Sequence, residues 1–376
     1  MTVSTAVPYT LTRLGVVMAP APGEPLEAEG VLNPASGRTP DGKLHLLPRL
    51  VAEGNVSRVG LAEVEFHDGV PAGVARRGVV LAPDEGWERG LNNAGVEDPR
   101  TTWVPGLGSH LMTYVAYGPL GPRLALAVST DLRTWRRLGP VQFAYQPDLD
   151  TDLNLFPNKD AVFFPEPVPG PDGRPCYAML HRPMWDLGWF RPGEGVHLPA
   201  GITDERPGIW ISYVPAEEVH ADITALVRLR DHRCVALSEF PYEELKIGAG
   251  PPPVRVAEGW LLIHHGVTGH IPDTFDPSTQ QVEYGAGAML LDPATRVGCW
   301  PAPPSRSWCP RPRTSAPAPS RTWSSRPRSR RWTASGTSST EWPTPRSASP
   351  GSTVSGEPCG TAGHRDRAGC TDGRIR

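Results

Sequence analysis

A chain of 376 residues is long enough to bury a large core, as one big β domain or two smaller ones. Its 45 prolines and 40 glycines exceed a fifth of the sequence, which argues against long helices and for many short strands joined by turns. Its formal charge of −3 is unevenly spread, and no apolar run approaches the roughly 18 residues of a membrane span, so no membrane partner is expected.

The first residues, MTVSTAVPYTLTRLGVVMAPAPG, carry no basic segment ahead of an apolar one, and a cytoplasmic location is expected. From Gly30 to Asp292 one unit recurs four times: a small or acidic motif, an apolar strand, a glycine-containing turn and further strands. The first copy reads EGVLNPA, KLHLLPRL, VSRVGLAEVEF, and the second GVEDPRTTWV, HLMTYVAYG, PRLALAVSTDLRTW. The third reads NKDAVFFPEPV, CYAMLHRP, GIWISYVPAEEV, and the fourth KIGAGPPPVRV, GWLLIHHGV, YGAGAMLLD. Asn33, Asp98 and Asp160 recur at spacings of 65 and 62 residues. Short strands at this spacing predict radial four-stranded blades around a central channel. A two-sheet sandwich would not need a polar motif at the start of every unit.

The third copy is the richest in chemistry. Asn158-Lys159-Asp160 and His181-Arg182 place five polar or charged side chains at the rims of two short apolar runs, as a sugar site on a β scaffold requires. The chain has only three lysines, Lys43, Lys159 and Lys246, and two of them fall in such motifs. Ser129-Thr-Asp131-Leu132-Arg-Thr-Trp135 reads as a strand ending in a turn that Asp131 caps and Trp135 covers. The segment Met184 to Pro207, rich in Trp, Gly and Pro, is long enough to lie over the channel mouth. Gly248-Ala-Gly250 is no dinucleotide loop, because three prolines follow where a helix would begin. His264 and His265 are strand neighbours that point to opposite faces, so only one can face a site. Six cysteines form no CxxC pair and no zinc-ligand spacing, so neither a metal nor a disulfide framework is expected.

Residues 299 to 376 change character: they contain no Leu, Phe, Tyr, Lys, Met, Asn or Gln, but five tryptophans within mixtures of Arg, Pro, Ser and Thr. With 13 arginines against 4 acidic residues the segment carries +9, leaving −3 − 9 = −12 on residues 1–298. Such a composition buries too little apolar surface to offset its ordering entropy. It predicts a disordered tail that is a frameshift product, not a nucleic-acid arm, and no nucleic-acid partner is expected.

Gly95-Val-Glu-Asp98-Pro99-Arg100, Asn158-Lys-Asp-Ala-Val-Phe-Phe-Pro-Glu166, His181-Arg182-Pro183, Lys246-Ile-Gly-Ala-Gly-Pro-Pro and Leu261-Leu-Ile-His-His-Gly266 follow in this order. Over about residues 28 to 298 the chain thereby resembles glycoside hydrolase family 130, the β-mannoside phosphorylases and β-1,2-mannosidases. The resemblance implies an all-β, five-bladed β-propeller, with blades 1–4 in residues 1–298 and the fifth blade lost or out of frame. It implies an enzyme cleaving β-mannosidic bonds by inverting phosphorolysis to α-mannose 1-phosphate. The alternatives are an inverting β-mannosidase, with Glu166 or another acid as base, and a non-catalytic carbohydrate-binding propeller.

By the same resemblance Asp98 is the catalytic acid, relaying its proton through a sugar hydroxyl, and Pro99 is expected to hold it in extended backbone. Arg182, Lys246 and His265 are the expected phosphate ligands. Asn33, Arg49, Asn158, Lys159, Asp160, His181 and Tyr284 are expected on the sugar. No cofactor is implied: inorganic phosphate is a co-substrate, the partner is an oligosaccharide or disaccharide, and a homo-oligomer is left open. The sequence departs from the family at Pro157, where a basic residue often stands, at Pro48, where an aromatic precedes the arginine, and in lacking a fifth-blade Tyr-Gly-x-x-Asp.

Overall fold

The computed structural model describes residues 12–188, 191–271 and 281–292. The chain divides into units Met1–Pro327 and Arg328–Arg376, and every described residue belongs to the first. The expected fifth blade, the change of character at residue 298 and the tail lie outside the described residues.

Alternating apolar residues in the repeated units form strands, as their period of two requires. β1 (Gly30–Arg38), β2 (Leu44–Ala52), β3 (Val56–His67) and β4 (Val70–Leu81) form the first antiparallel meander. β5 (Ala94–Val104), β6 (Ser109–Gly118), β7 (Gly121–Ser129) and β8 (Arg136–Pro140) form the second. A short parallel pairing of Val56 with Ala94 and Ser57 with Gly95 merges the two into one eight-stranded sheet. Gly95 has φ +115°, and any Cβ there would collide with the Ser57 backbone, so only glycine permits the junction.

The sheet of the third unit orders β10 (Asn158–Phe163), β12 (Pro175–Pro183), β13 (Ile209–Pro215) and β14 (Arg228–Ala236) outward. The two-residue β9 (Gln142–Phe143) lies parallel to β14, and β11 (Val168–Pro169) pairs with β12. In the fourth, β15 (Lys246–Ala249) and β16 (Val254–Val256) share one side of β17 (Gly259–His270), with β18 (Gln281–Leu291) on the other. The only α-helix among the described residues is Ala216–Ala221. The first strands of successive units touch in turn, β1 with β5, β5 with β10 and β10 with β15, which gives the all-β fold a propeller-like, radial order.

Because consecutive side chains leave opposite faces, the second and third units each feed two cores. Tyr177 and Met179 of β12 pack with Leu111 and Leu124 of the second meander, while Ala178 and Leu180 pack with Ile247 and Trp260 of the fourth unit. Met112, Tyr114 and Ala116 turn the other way, onto Leu47, Val59 and Leu61. Each buried Leu, Val or Met side chain contributes about 1.5–3 kcal/mol. Three cores between successive units therefore hold the four units together, and so fix where the inner strands meet.

The turn after β7 forms as read: Asp131 Oδ1 accepts from Arg133 N and Thr134 N, each at 2.8 Å, and Trp135 Nε1 donates to Leu132 O at 3.0 Å. The long segment before β13 packs on the molecule, with Trp185 only 1% exposed against Phe156 and Trp210. Its Trp189 and Phe190 lie outside the described residues.

Candidate active site

The inner strands carry the polar motifs, and a β-bulge interrupts each of the first three. Pairing shifts between Leu32 and Ala35 in β1, between Glu97 and Arg100 in β5, and between Lys159 and Val162 in β10. At each bulge stands one non-glycine residue in the left-handed region: Asn33 (φ 38°), Asp98 (φ 48°) and Asp160 (φ 56°). Pro99 therefore does not keep Asp98 extended; the bulge overrides that preference. Each such residue costs about 1–3 kcal/mol of backbone strain, the kind tolerated where function requires it.

The bulges have a direct chemical result. In a regular strand Glu97 and Asp98 would point to opposite faces, as would Lys159 and Asp160. Here all four turn toward the meeting point of the inner strands. Asp98 Oδ1 accepts from Asn33 Nδ2 at 2.7 Å and from Arg49 Nη1 at 3.0 Å. Arg49 Nη2 donates to Glu97 Oε1 at 2.7 Å, and Lys159 Nζ lies 3.4 Å from Glu97 Oε2 and 4.0 Å from Asp98 Oδ2. Arg49 itself is locked by Ser57 Oγ at 2.8 Å and Asn55 Oδ1 at 3.0 Å. Burial alone would raise the Asp98 carboxyl, but Arg49 and Lys159, with the Asn33 hydrogen bond, bring it down to about 2. Glu97 and Asp98 in turn hold Lys159 above its ordinary value against its burial.

A second cluster adjoins the first through β5 and β10. Asp160 Oδ1 accepts from Arg100 Nη2 at 2.8 Å, and its Oδ2 accepts from Arg182 Nε at 2.6 Å with His265 Nε2 at 3.5 Å. Arg100 also donates to Ala249 O. Burial would raise the Asp160 carboxyl, yet Arg182, His265 and Arg100 hold it well below the carboxylate range. Gly248 packs against Asp160 and His265 so closely that a Cβ would displace them. Arg182 Nη1 is buried without a hydrogen-bond partner among the described residues. Burial, then Arg182, push the nearby Lys246 down to about 7.

Tyr284 is exposed on β18, its ring 5.7 Å from that of His265. Of the adjacent histidines, His265 faces Asp160, while His264 is buried against Glu243 Oε1 at 2.8 Å. Two residues read as sugar contacts do not reach the cluster's open side. His181 is fully buried and bonded to Ser212 Oγ at 2.8 Å, and Asn158 is 2% exposed with its amide spent on His181 and the Arg182 backbone. Their motif neighbours face the site; they stand behind it. Glu97 and Arg100 were missing from the sequence reading, although both lie in the Gly-Val-Glu-Asp-Pro-Arg motif, because strict alternation turns Glu97 away from Asp98. Glu166, considered as a base, is exposed beyond the end of β10 opposite to Asn158.

Inner strands of successive units that converge on paired charges define a propeller-like β protein with a charged cluster where those strands meet. The sequence profile of glycoside hydrolase family 130, described as beta-1,4-mannooligosaccharide phosphorylase, matches residues 25–299, and the chain belongs to this family. It is 29% identical over 203 residues to a 1,2-beta-oligomannan phosphorylase of Thermoanaerobacter sp. (strain X514), covering 53% of this chain and 48% of that one. Over 198 residues it is 25% identical to a beta-1,2-mannobiose phosphorylase of Listeria innocua serovar 6a, covering 53% and 41%. The chain thus spans about half the length of the curated relatives it matches. A glycosyl hydrolase structure from Bacteroides ovatus shares the fold, with a TM-score of 0.52 at 19% identity over 76% of each chain.

Proposed function

We propose that this chain is an enzyme that cleaves β-mannosides by phosphorolysis, with inversion, to give α-mannose 1-phosphate. The carrying observation is the charge balance of the linked clusters. Five basic side chains, Arg49, Arg100, Lys159, Arg182 and Lys246, face three carboxylates, Glu97, Asp98 and Asp160, an excess of 5 − 3 = 2 positive charges while Lys246 is protonated, below about pH 7, and of one above it. An unpartnered guanidinium nitrogen and a lysine beside it suit a phosphate dianion, the fork giving direction and the ammonium charge. All three carboxylates are already paired, which disfavours the hydrolytic alternative, since that needs a carboxylate free to activate water.

In this reading phosphate, held by Arg182, Lys246 and His265, attacks the anomeric carbon from the face opposite the glycosidic bond. The C1–oxygen bond breaks, and the leaving oxygen takes a proton delivered by Asp98 through a sugar hydroxyl. Protons balance, because the hydrogen of the phosphate dianion ends on the released alcohol. Held at about 2, Asp98 is a carboxylate in the free protein. The bound sugar must therefore weaken the hold on Asp98 of Arg49, at 3.0 Å, and of Lys159, at 4.0 Å, before Asp98 can carry a proton. The substrate is a β-linked manno-disaccharide or oligosaccharide, and the five-bladed closure belongs to the same proposal.

Calorimetric titration with inorganic phosphate tests the anion site. Lys246 is cationic below about 7 and loses its proton above it. Phosphate affinity should therefore fall above pH 7 by up to about tenfold per unit, and Lys246→Met should remove that dependence. An affinity that is flat from pH 6 to about pH 9 in the unsubstituted chain would take Lys246 out of the phosphate site.

A further inference from the structure

Behind the second cluster, a line of polar side chains crosses the whole sheet of the third unit, from outer strand to inner. His232 Nε2 lies 2.8 Å from Ala144 O, Ser212 Oγ 2.8 Å from His232 Nδ1, and His181 Nε2 2.8 Å from Ser212 Oγ. Asn158 Nδ2 lies 3.0 Å from His181 Nδ1, and Asn158 Oδ1 accepts from Arg182 N at 3.1 Å. Ser212 and His181 are fully buried and His232 nearly so, at 1% exposure. Burial keeps both imidazoles neutral at physiological pH.

These contacts leave one arrangement of protons. A carbonyl can only accept, so His232 carries its hydrogen on Nε2 and accepts on Nδ1. Ser212 donates to that nitrogen and accepts from His181 Nε2–H. His181 Nδ1 is then an acceptor, so the Asn158 NH2 group turns to it, leaving Asn158 Oδ1 for the Arg182 backbone. The choice is close in geometry, because His181 Nδ1 is also 3.3 Å from Asn158 Oδ1. The other histidine tautomer would draw that oxygen away and set an NH2 group against the Arg182 N–H. A buried network with every member satisfied selects a single arrangement.

We propose that Ser212 and His232 are positioning residues for the anion site, setting through His181 and Asn158 where the Arg182 guanidinium stands. Among the described residues the Arg182 guanidinium is oriented by its Nε ion pair with Asp160, and Asp160 sits two residues after Asn158 on the same bulged strand. The tether therefore fixes both partners of that pair. This inference rests on the reading of Arg182 as a phosphate ligand.

The test uses the full chain with nitrogen-15 in histidine and arginine, compared as Ser212→Ala and Ser212→Thr. In Ser212→Ala the single Nε2–H tautomer of His181 should become a mixture and the Arg182 Nε–H resonance should shift. Phosphate affinity should fall about 3–10-fold, the worth of one buried hydrogen bond. Threonine, which keeps the hydroxyl, should restore all three. A changed tautomer with an unmoved Arg182 resonance and unchanged phosphate affinity would make the array merely structural and overturn the proposal. Should the alanine variant not fold, the near-isosteric Ser212→Cys carries the same comparison. Absence of phosphate binding in the unsubstituted chain would remove the anion reading alone, and the array would then be judged on the Arg182 resonance.

Discussion

Replacing Asp98 by asparagine should lower mannoside turnover by about 10²–10⁴-fold while leaving mannoside binding measurable. The amide keeps an oxygen for Asn33 and Arg49, which approach Oδ1 at 2.7 and 3.0 Å, but it cannot pass a proton to the leaving oxygen. Stability should suffer less. The folded carboxyl lies at about 2 against an ordinary 3.8, so its ionisation adds stability that is complete above pH 4 and disappears as pH falls through 2. That difference is worth about 2 kcal/mol at neutral pH, and Asp98→Asn should lose no more than this. Rate and binding measured on the same folded variant separate the enzyme from a carbohydrate-binding propeller. Turnover within about tenfold of the unsubstituted chain would remove Asp98 from the proton path.

Arg182→Met should weaken phosphate binding by about 10–150-fold, the range of a charge-assisted hydrogen bond, with a matching rise in the phosphate KM. The loss has two parts. The unpartnered Nη1 donor disappears, and Asp160 keeps only Arg100 at 2.8 Å and His265 at 3.5 Å, so its position loosens as well. Arg182→Lys should recover little of the loss, because an ammonium cannot bond Asp160 and a phosphate oxygen in the fixed geometry of a guanidinium. Phosphate binding unchanged in Arg182→Met would place the anion elsewhere.

Much of the scaffold was legible in the sequence because period-two alternation survives translation into strands. TYVAY and LALAV mark β6 and β7, and CYAML marks β12, each supplying two cores from its two faces. The polar motifs at Asn33, Asp98 and Asp160 marked the inner strands for the same reason, since charged residues in an otherwise apolar strand need a place to be solvated or paired. What stayed hidden was the effect of one extra residue in each of the first three inner strands. A bulge reverses the facing of everything beyond it, so Glu97 joins Asp98 and Arg100 in the cluster although alternation from Asp98 turns it away. His181 was misplaced by proximity: it borders Arg182, and adjacent strand residues face opposite ways, which puts His181 into the buried array. The same rule, applied to His264 and His265, separated a buried partner of Glu243 from the residue facing Asp160.

The most direct measurement follows phosphorus-31 and anomeric proton resonances while the full chain acts on a β-mannobiose, with and without inorganic phosphate. The account predicts α-mannose 1-phosphate as the first product, formed only when phosphate is present. Release of free mannose from the non-reducing end at an equal rate without phosphate would contradict it.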